Sequence, residues 1–95
     1  MKLPKALKIG GQIIQIDYSQ ELKGHNGEAI TGAGIIRISK EIPRSQKEET
    51  LIHEIFHFLN TTLSEEFLGH CLLSSLSKQF YQVLRDNNLL KEENE

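Results

Sequence analysis

At Pro43 the spacing of apolar residues changes from two to about 3.6, which divides the chain into an extended half and a helical half. Before that point, residues 7 to 18 alternate well enough to form a strand, with Ile14, Ile16 and Tyr18 on one face. Gly10-Gly11 marks a turn or bulge partway, so the segment reads equally as a hairpin. Residues 19 to 28 carry Gly24, Asn26 and Gly27, the chemistry of a loop. Residues 29 to 39 make a second extended segment, with Ile36 and Ile38 facing one way and Ile35 and Arg37 the other. Gly32 and Gly34 weaken its first half and suit a bulged edge strand.

After Pro43, Ser45-x-x-Glu48 has the spacing of a capping box, and a helical pattern runs to about Asn60. Leu51, Ile52, Ile55, Phe56, Phe58 and Leu59 share one broad arc of that helix. Thr61-Thr62-Leu63-Ser64 reads as a short connection with Ser64 as N-cap. A second helix is expected from about Glu65 to Asp86, with Leu72, Leu73, Leu76, Phe80, Val83 and Leu84 on one side. Asn87-Asn88 ends it. The connection is short, so the two helices should be antiparallel neighbours. The expected class is α+β: a small antiparallel sheet packed on two antiparallel helices.

The first helix contains His53-Glu54-Ile55-Phe56-His57. Imidazoles at i and i+4 stack on one face of a helix, as two ligands of one metal ion must. Both lie outside the apolar arc, where histidines of a packed core would fall. Glu54 is turned about 100° from His53, badly placed to be a ligand but able to reach a water beside the metal. This is the pattern of a Zn²⁺ site with an open position, which is hydrolytic chemistry. Folding the chain back near residues 62 and 63 sets the His53–His57 gap opposite His70, the favoured third ligand. Glu66, one turn earlier on the same flank, is the alternative. Glu65 points toward the apolar side and is weaker. Cys71 is read as a small packing residue. His25, in its glycine-rich loop, is read as solvated, with the rim of the site as a lesser possibility. Tyr81 is about 16 Å along the helix from His70, too far to act there.

Ninety-five residues make a single domain, with frayed ends expected at about 1–5 and 90–95. A chain this short buries only about 60–65% of its surface, so a metal joining two elements would add stability that its thin core lacks. With 11 basic and 13 acidic residues the net charge is −2, giving no electrostatic case for nucleic acid. A lone cysteine excludes an internal disulfide. No apolar run has the length of a membrane span, and the start lacks a signal-peptide core, so a cytoplasmic setting without membrane attachment is expected.

Extended segments, then HEIFH, then a helix ending in Phe-Tyr-Gln-Val-Leu-Arg-Asp-Asn, resemble the small metallopeptidase-like proteins of phages and bacteria. These are related in pattern to the ImmA/IrrE and minimal gluzincin group and, more distantly, to SprT-like proteins. The resemblance covers most of the chain and is specific at His53, Glu54, His57 and residues 80 to 88. It implies a minimal zincin-like fold, a small twisted sheet over an active-site helix with the third ligand on a second helix. Gluzincins place a glutamate there, which implies Glu66; SprT-like proteins place a histidine, which implies His70.

The expected function is peptide-bond hydrolysis by a zinc-activated water with Glu54 as general base. A peptide or protein substrate would lie along residues 32–38 by strand addition. Two other readings use the same residues differently. One is a non-catalytic, zinc-stabilised interaction or regulatory protein; the other is a metal-free helical domain that binds a partner.

Overall fold

The computed structural model describes residues 2–9, 11–62 and 69–87. Its elements run β1 (Ala6–Ile9), β2 (Gln12–Asp17), β3 (Gly27–Ile30), a 3-10 turn (Thr31–Ala33), β4 (Ile35–Ile38), α1 (Arg44–Thr62) and α2 (His70–Asp86). The expected α+β class holds.

The first extended segment is a hairpin. β1 pairs antiparallel with β2 from Ala6↔Gln15 to Ile9↔Gln12, and Gly11 takes φ +82°, a left-handed conformation that glycine adopts without a Cβ penalty. Tyr18 donates its hydroxyl to the Pro4 carbonyl at 2.6 Å, tying the start of the chain to the end of β2.

The second extended segment is also a hairpin, not the single bulged strand expected. Gly34 at φ +67° closes the 3-10 turn and sends β4 back along β3. Sheet order is β1-β2-β4-β3, and β2 runs parallel to β4, so the sheet is mixed rather than wholly antiparallel. The parallel pair arises because the chain leaves β2, passes through a loop to the far edge, and returns inward. Loop backbone bonds hold that excursion: Lys40 N–H to the Gln20 carbonyl at 3.0 Å and Ser39 N–H to the Asn26 carbonyl at 2.8 Å. Residues 32–38 therefore do not form an exposed edge. β4 is interior, and the free edge beside α1 belongs to β3.

Alternation decides which sheet face is buried. Ile14 and Ile16 of β2 lie beside Ile36 and Ile38 of β4 and form the core with Ile9, Leu51 and Phe58, while Ile13 points outward. Each fully buried side chain of this size contributes about 1.5–3 kcal/mol.

The capping box is absent. α1 starts at Arg44, and the Pro43 carbonyl accepts the Lys47 N–H at 2.9 Å, which places Ser45 inside the helix. Glu48 turns inward instead. It is buried, and one carboxylate oxygen accepts from the Tyr81 hydroxyl and an Arg85 guanidinium N–H, both at 3.0 Å. Two donors from α2 satisfy a carboxylate of α1, which clasps the helices together.

α2 begins at His70 rather than at Glu65, because its N-cap Gly69 is extended at φ −66°, ψ 159°. The expected N-cap Ser64 lies outside the described residues, as do Glu65 and Glu66. α2 is also turned from its expected orientation. Leu73, Ser77 and Tyr81 are its buried residues, whereas Leu72, Leu76, Phe80 and Val83 are exposed. The helix presents a mixed flank to α1, and much of its apolar stripe faces outward. A pair of substitutions reads this rotation. Leu73 is 1% exposed and Leu76 44%. Leu73→Ala is expected to cost about 2–5 kcal/mol. Leu76→Lys should change stability by less than about 0.5 kcal/mol. Urea denaturation measures both, and a loss in Leu76→Lys as large as that in Leu73→Ala would mean that α2 does not leave Leu76 exposed. No described helix is long and apolar enough to cross a membrane.

Candidate metal centre

The histidines converge because of where helix geometry and the α2 start put them. His53 and His57, one turn apart on α1, have ring centroids 4.7 Å apart and Nε2 atoms 3.0 Å apart. His70, the first residue of α2, brings its ring centroid to 5.8 Å from that of His53 and 5.6 Å from that of His57. One nitrogen from each of the three lies within 4.8 Å of the others, so together they can hold a metal ion. His70 thus stands where sequence reasoning put its favoured third ligand, while the alternative, Glu66, lies outside the described residues.

The donor set suits a metal ion that takes imidazole nitrogens. Two neutral imidazole nitrogens facing each other at 3.0 Å need a proton or a cation between them. Tetrahedral zinc with bonds of about 2.0–2.1 Å sets such nitrogens roughly 3.3–3.4 Å apart, a shift of a few tenths of an ångström. Burial, then the neighbouring His57 and His70, lower the His53 pKa and so favour the neutral ring that a metal requires.

Glu54 is 6% exposed and belongs to the same cleft, a cavity of about 790 Å³. α1 and α2 form one wall, with Ser74, Ser77 and Lys78 beside the histidines. The loop and β3 form the other, from His25 to Ala29. Gly27 permits the close approach of β3: a Cβ there would lie 2.5 Å from Thr50 Cγ2 and 3.3 Å from Glu54 Oε2. His25 reaches the rim, with Nε2 3.5 Å from Glu28 Oε2, and Glu28 pairs across the hairpin with Arg37 at 3.1 Å. Sequence reasoning missed Gly27 and Glu28, because it placed both in a loop; the period-two signal in Gly-Glu-Ala-Ile is too short to mark a strand. Cys71 is exposed rather than packed, because the flank of α2 that meets α1 lies elsewhere.

No family model, curated protein or solved structure matches this chain. What the site can do therefore rests on its own chemistry.

Burial, and after it the charge of Glu28, push the Glu54 carboxyl up to about 7 from 4.5. Between those values the native state holds a proton that the unfolded chain has released. The associated stability is fully present below about pH 4.5 and is lost as pH rises through about 7. In chelator, the wild type is expected to lose about 2–3 kcal/mol relative to Glu54→Gln between pH 4.5 and 8. Denaturant titrations of both proteins at the two pH values check this, and parallel curves would count against a buried, up-shifted carboxyl. The comparison isolates Glu54 from His53, whose lowered pKa acts with the opposite sign below pH 6.5.

Proposed function

We propose that the protein is a zinc-dependent metallopeptidase with His53, His57 and His70 as ligands and Glu54 as general base, a minimal zincin-like hydrolase. The observation that carries this reading is a buried carboxyl, shifted toward neutrality, beside three converging imidazoles at one cleft. A buried acid lowers the stability of a fold unless it is paired, so its presence here favours a chemical role. A zinc ion held by His53, His57 and His70 would supply Lewis acidity for a carbonyl and for a water. Glu54 accepts the proton of the attacking water at its carboxylate and passes it to the leaving nitrogen. The free edge of β3 runs along the cleft and suits an extended peptide held by main-chain hydrogen bonds. That placement favours unfolded polypeptide as the substrate class over a small molecule.

The test pairs zinc titration with cleavage of casein. One equivalent of zinc, hydrolysis that needs it, and loss of both in chelator are expected; a zinc complex without peptidase activity would overturn the enzymatic reading. A zinc-stabilised interaction protein is the second reading. The solvent-facing Leu72, Leu76 and Val83 speak for it. Under that reading Glu54 is dispensable, and Glu54→Gln leaves function intact.

A further inference from the structure

We infer that Ser77 is the positioning residue of this centre: from α2, its buried hydroxyl holds the His53 ring in the tautomer that turns a free Nε2 lone pair toward the metal position. The inference rests on the metal-binding reading above. Ser77 is 2% exposed, and its Oγ makes two contacts, 3.1 Å to the Ser74 carbonyl and 3.2 Å to His53 Nδ1. A hydroxyl has one hydrogen to donate. The carbonyl can only accept, so that hydrogen goes to Ser74, one turn back along the helix. The contact to His53 must then run the other way, with Nδ1–H donating to Oγ. A neutral imidazole carries one N–H, so Nε2 is left bare, and Nε2 is the atom that meets His57 Nε2 at 3.0 Å.

The same contact fixes more than a proton. Ser77 and His70 belong to one helix, two turns apart on the flank that meets α1. Docking Ser77 against His53 therefore sets the register in which His70 arrives between the two α1 imidazoles. The helix rotation that leaves Leu72 and Leu76 exposed is the rotation that buries Ser77 and brings the exposed His70 ring beside the two α1 imidazoles. A small residue chosen only for packing would be served equally by alanine. A buried hydroxyl, satisfied at both ends, is what an orienting partner requires.

Nitrogen-15 NMR of the histidine rings tests this in metal-free protein at pH 8, with zinc affinity measured in parallel. The wild type should show His53 protonated on Nδ1. Ser77→Ala should shift His53 toward the Nε2–H form and weaken zinc binding about 10–100-fold. Ser77→Thr, which keeps the hydroxyl, should restore both. Amide spectra establish that each variant is folded. Weaker zinc binding in Ser77→Ala with the tautomer unchanged would reduce Ser77 to packing and overturn the inference. A wild-type His53 protonated on Nε2 overturns it whether or not any variant folds. A wild type with the Nδ1–H form and no zinc affinity would sink the metal reading and leave the serine–histidine contact standing.

Discussion

Glu54→Gln is expected to lower casein hydrolysis about 10²–10⁴-fold while the protein still takes up one equivalent of zinc. The magnitude is that of a positioned general base, worth roughly 3–5 kcal/mol of barrier. Gln has nearly the shape of Glu, so the cleft wall formed with Gly27 and Thr50 should keep its packing. It cannot accept a proton at neutral pH. The variant should also be more stable than the wild type in chelator at pH 8, because it removes a carboxylate that the fold holds 94% out of solvent. Gain of stability with loss of turnover is the signature of a group kept at a cost for chemistry. Steady-state hydrolysis, metal analysis and denaturant titration of the one variant give all three values. Undiminished turnover would remove Glu54 from the mechanism, and loss of zinc would show it to be part of the ligand cage.

Glu54 and its two flanking histidines were legible in the sequence because a helix fixes them locally. A spacing of four on a 3.6-residue turn needs no tertiary information to put two rings on one face. The β1–β2 hairpin was legible for the same reason, since Gly10-Gly11 sits between alternating runs. Legibility failed where a residue's role is set by a distant partner. Glu48 reads locally as the end of a capping box, but Tyr81 and Arg85, more than thirty residues on, turn it inward. Gly32 and Gly34 read as weak points of one strand, yet they sit in and beside the turn between two strands, and only pairing across 27–30 and 35–38 reveals it. The same pairing makes β3 the edge and buries the role first given to residues 32–38.

The orientation of α2 is the most instructive failure. An amphipathic reading assumes that the most apolar stripe faces the core, which would point Leu72, Leu73, Leu76, Phe80, Val83 and Leu84 inward. Leu73 is buried and Leu84 half-buried, and the other four are exposed. In the structure the helix is rolled away from that solution. Its inner flank carries His70, Ser77 and Tyr81, each bound to or beside a polar group of α1. Two polar contacts, from Ser77 and Tyr81, lie on this flank, and of the apolar stripe Phe80 still meets Phe56 edge-on at 5.6 Å. Local propensity and tertiary fit conflict here, and such conflicts collect at functional sites. The favoured third-ligand position at His70 came from counting back along two antiparallel helices, which depends on chain length between elements and not on which stripe is buried.

If that conflict is resolved by metal, then metal should supply a large share of the stability of so small a core. With zinc at about 1,000 times its dissociation constant, binding adds about 4 kcal/mol to unfolding, or roughly 15–30 °C in melting temperature for a domain of this size. His57→Ala is expected to lose nearly all of that increment. In chelator, the same variant should melt within a few degrees of the wild type, since His57 is only half-buried. The contrast matters more than either value. A general packing defect would lower both curves, whereas loss of a ligand lowers only the zinc-loaded one. Melts of wild type and variant with zinc and with chelator separate the cases. A wild type indifferent to zinc, or a variant that keeps the full shift, would mean that the three imidazoles meet for some reason other than holding an ion.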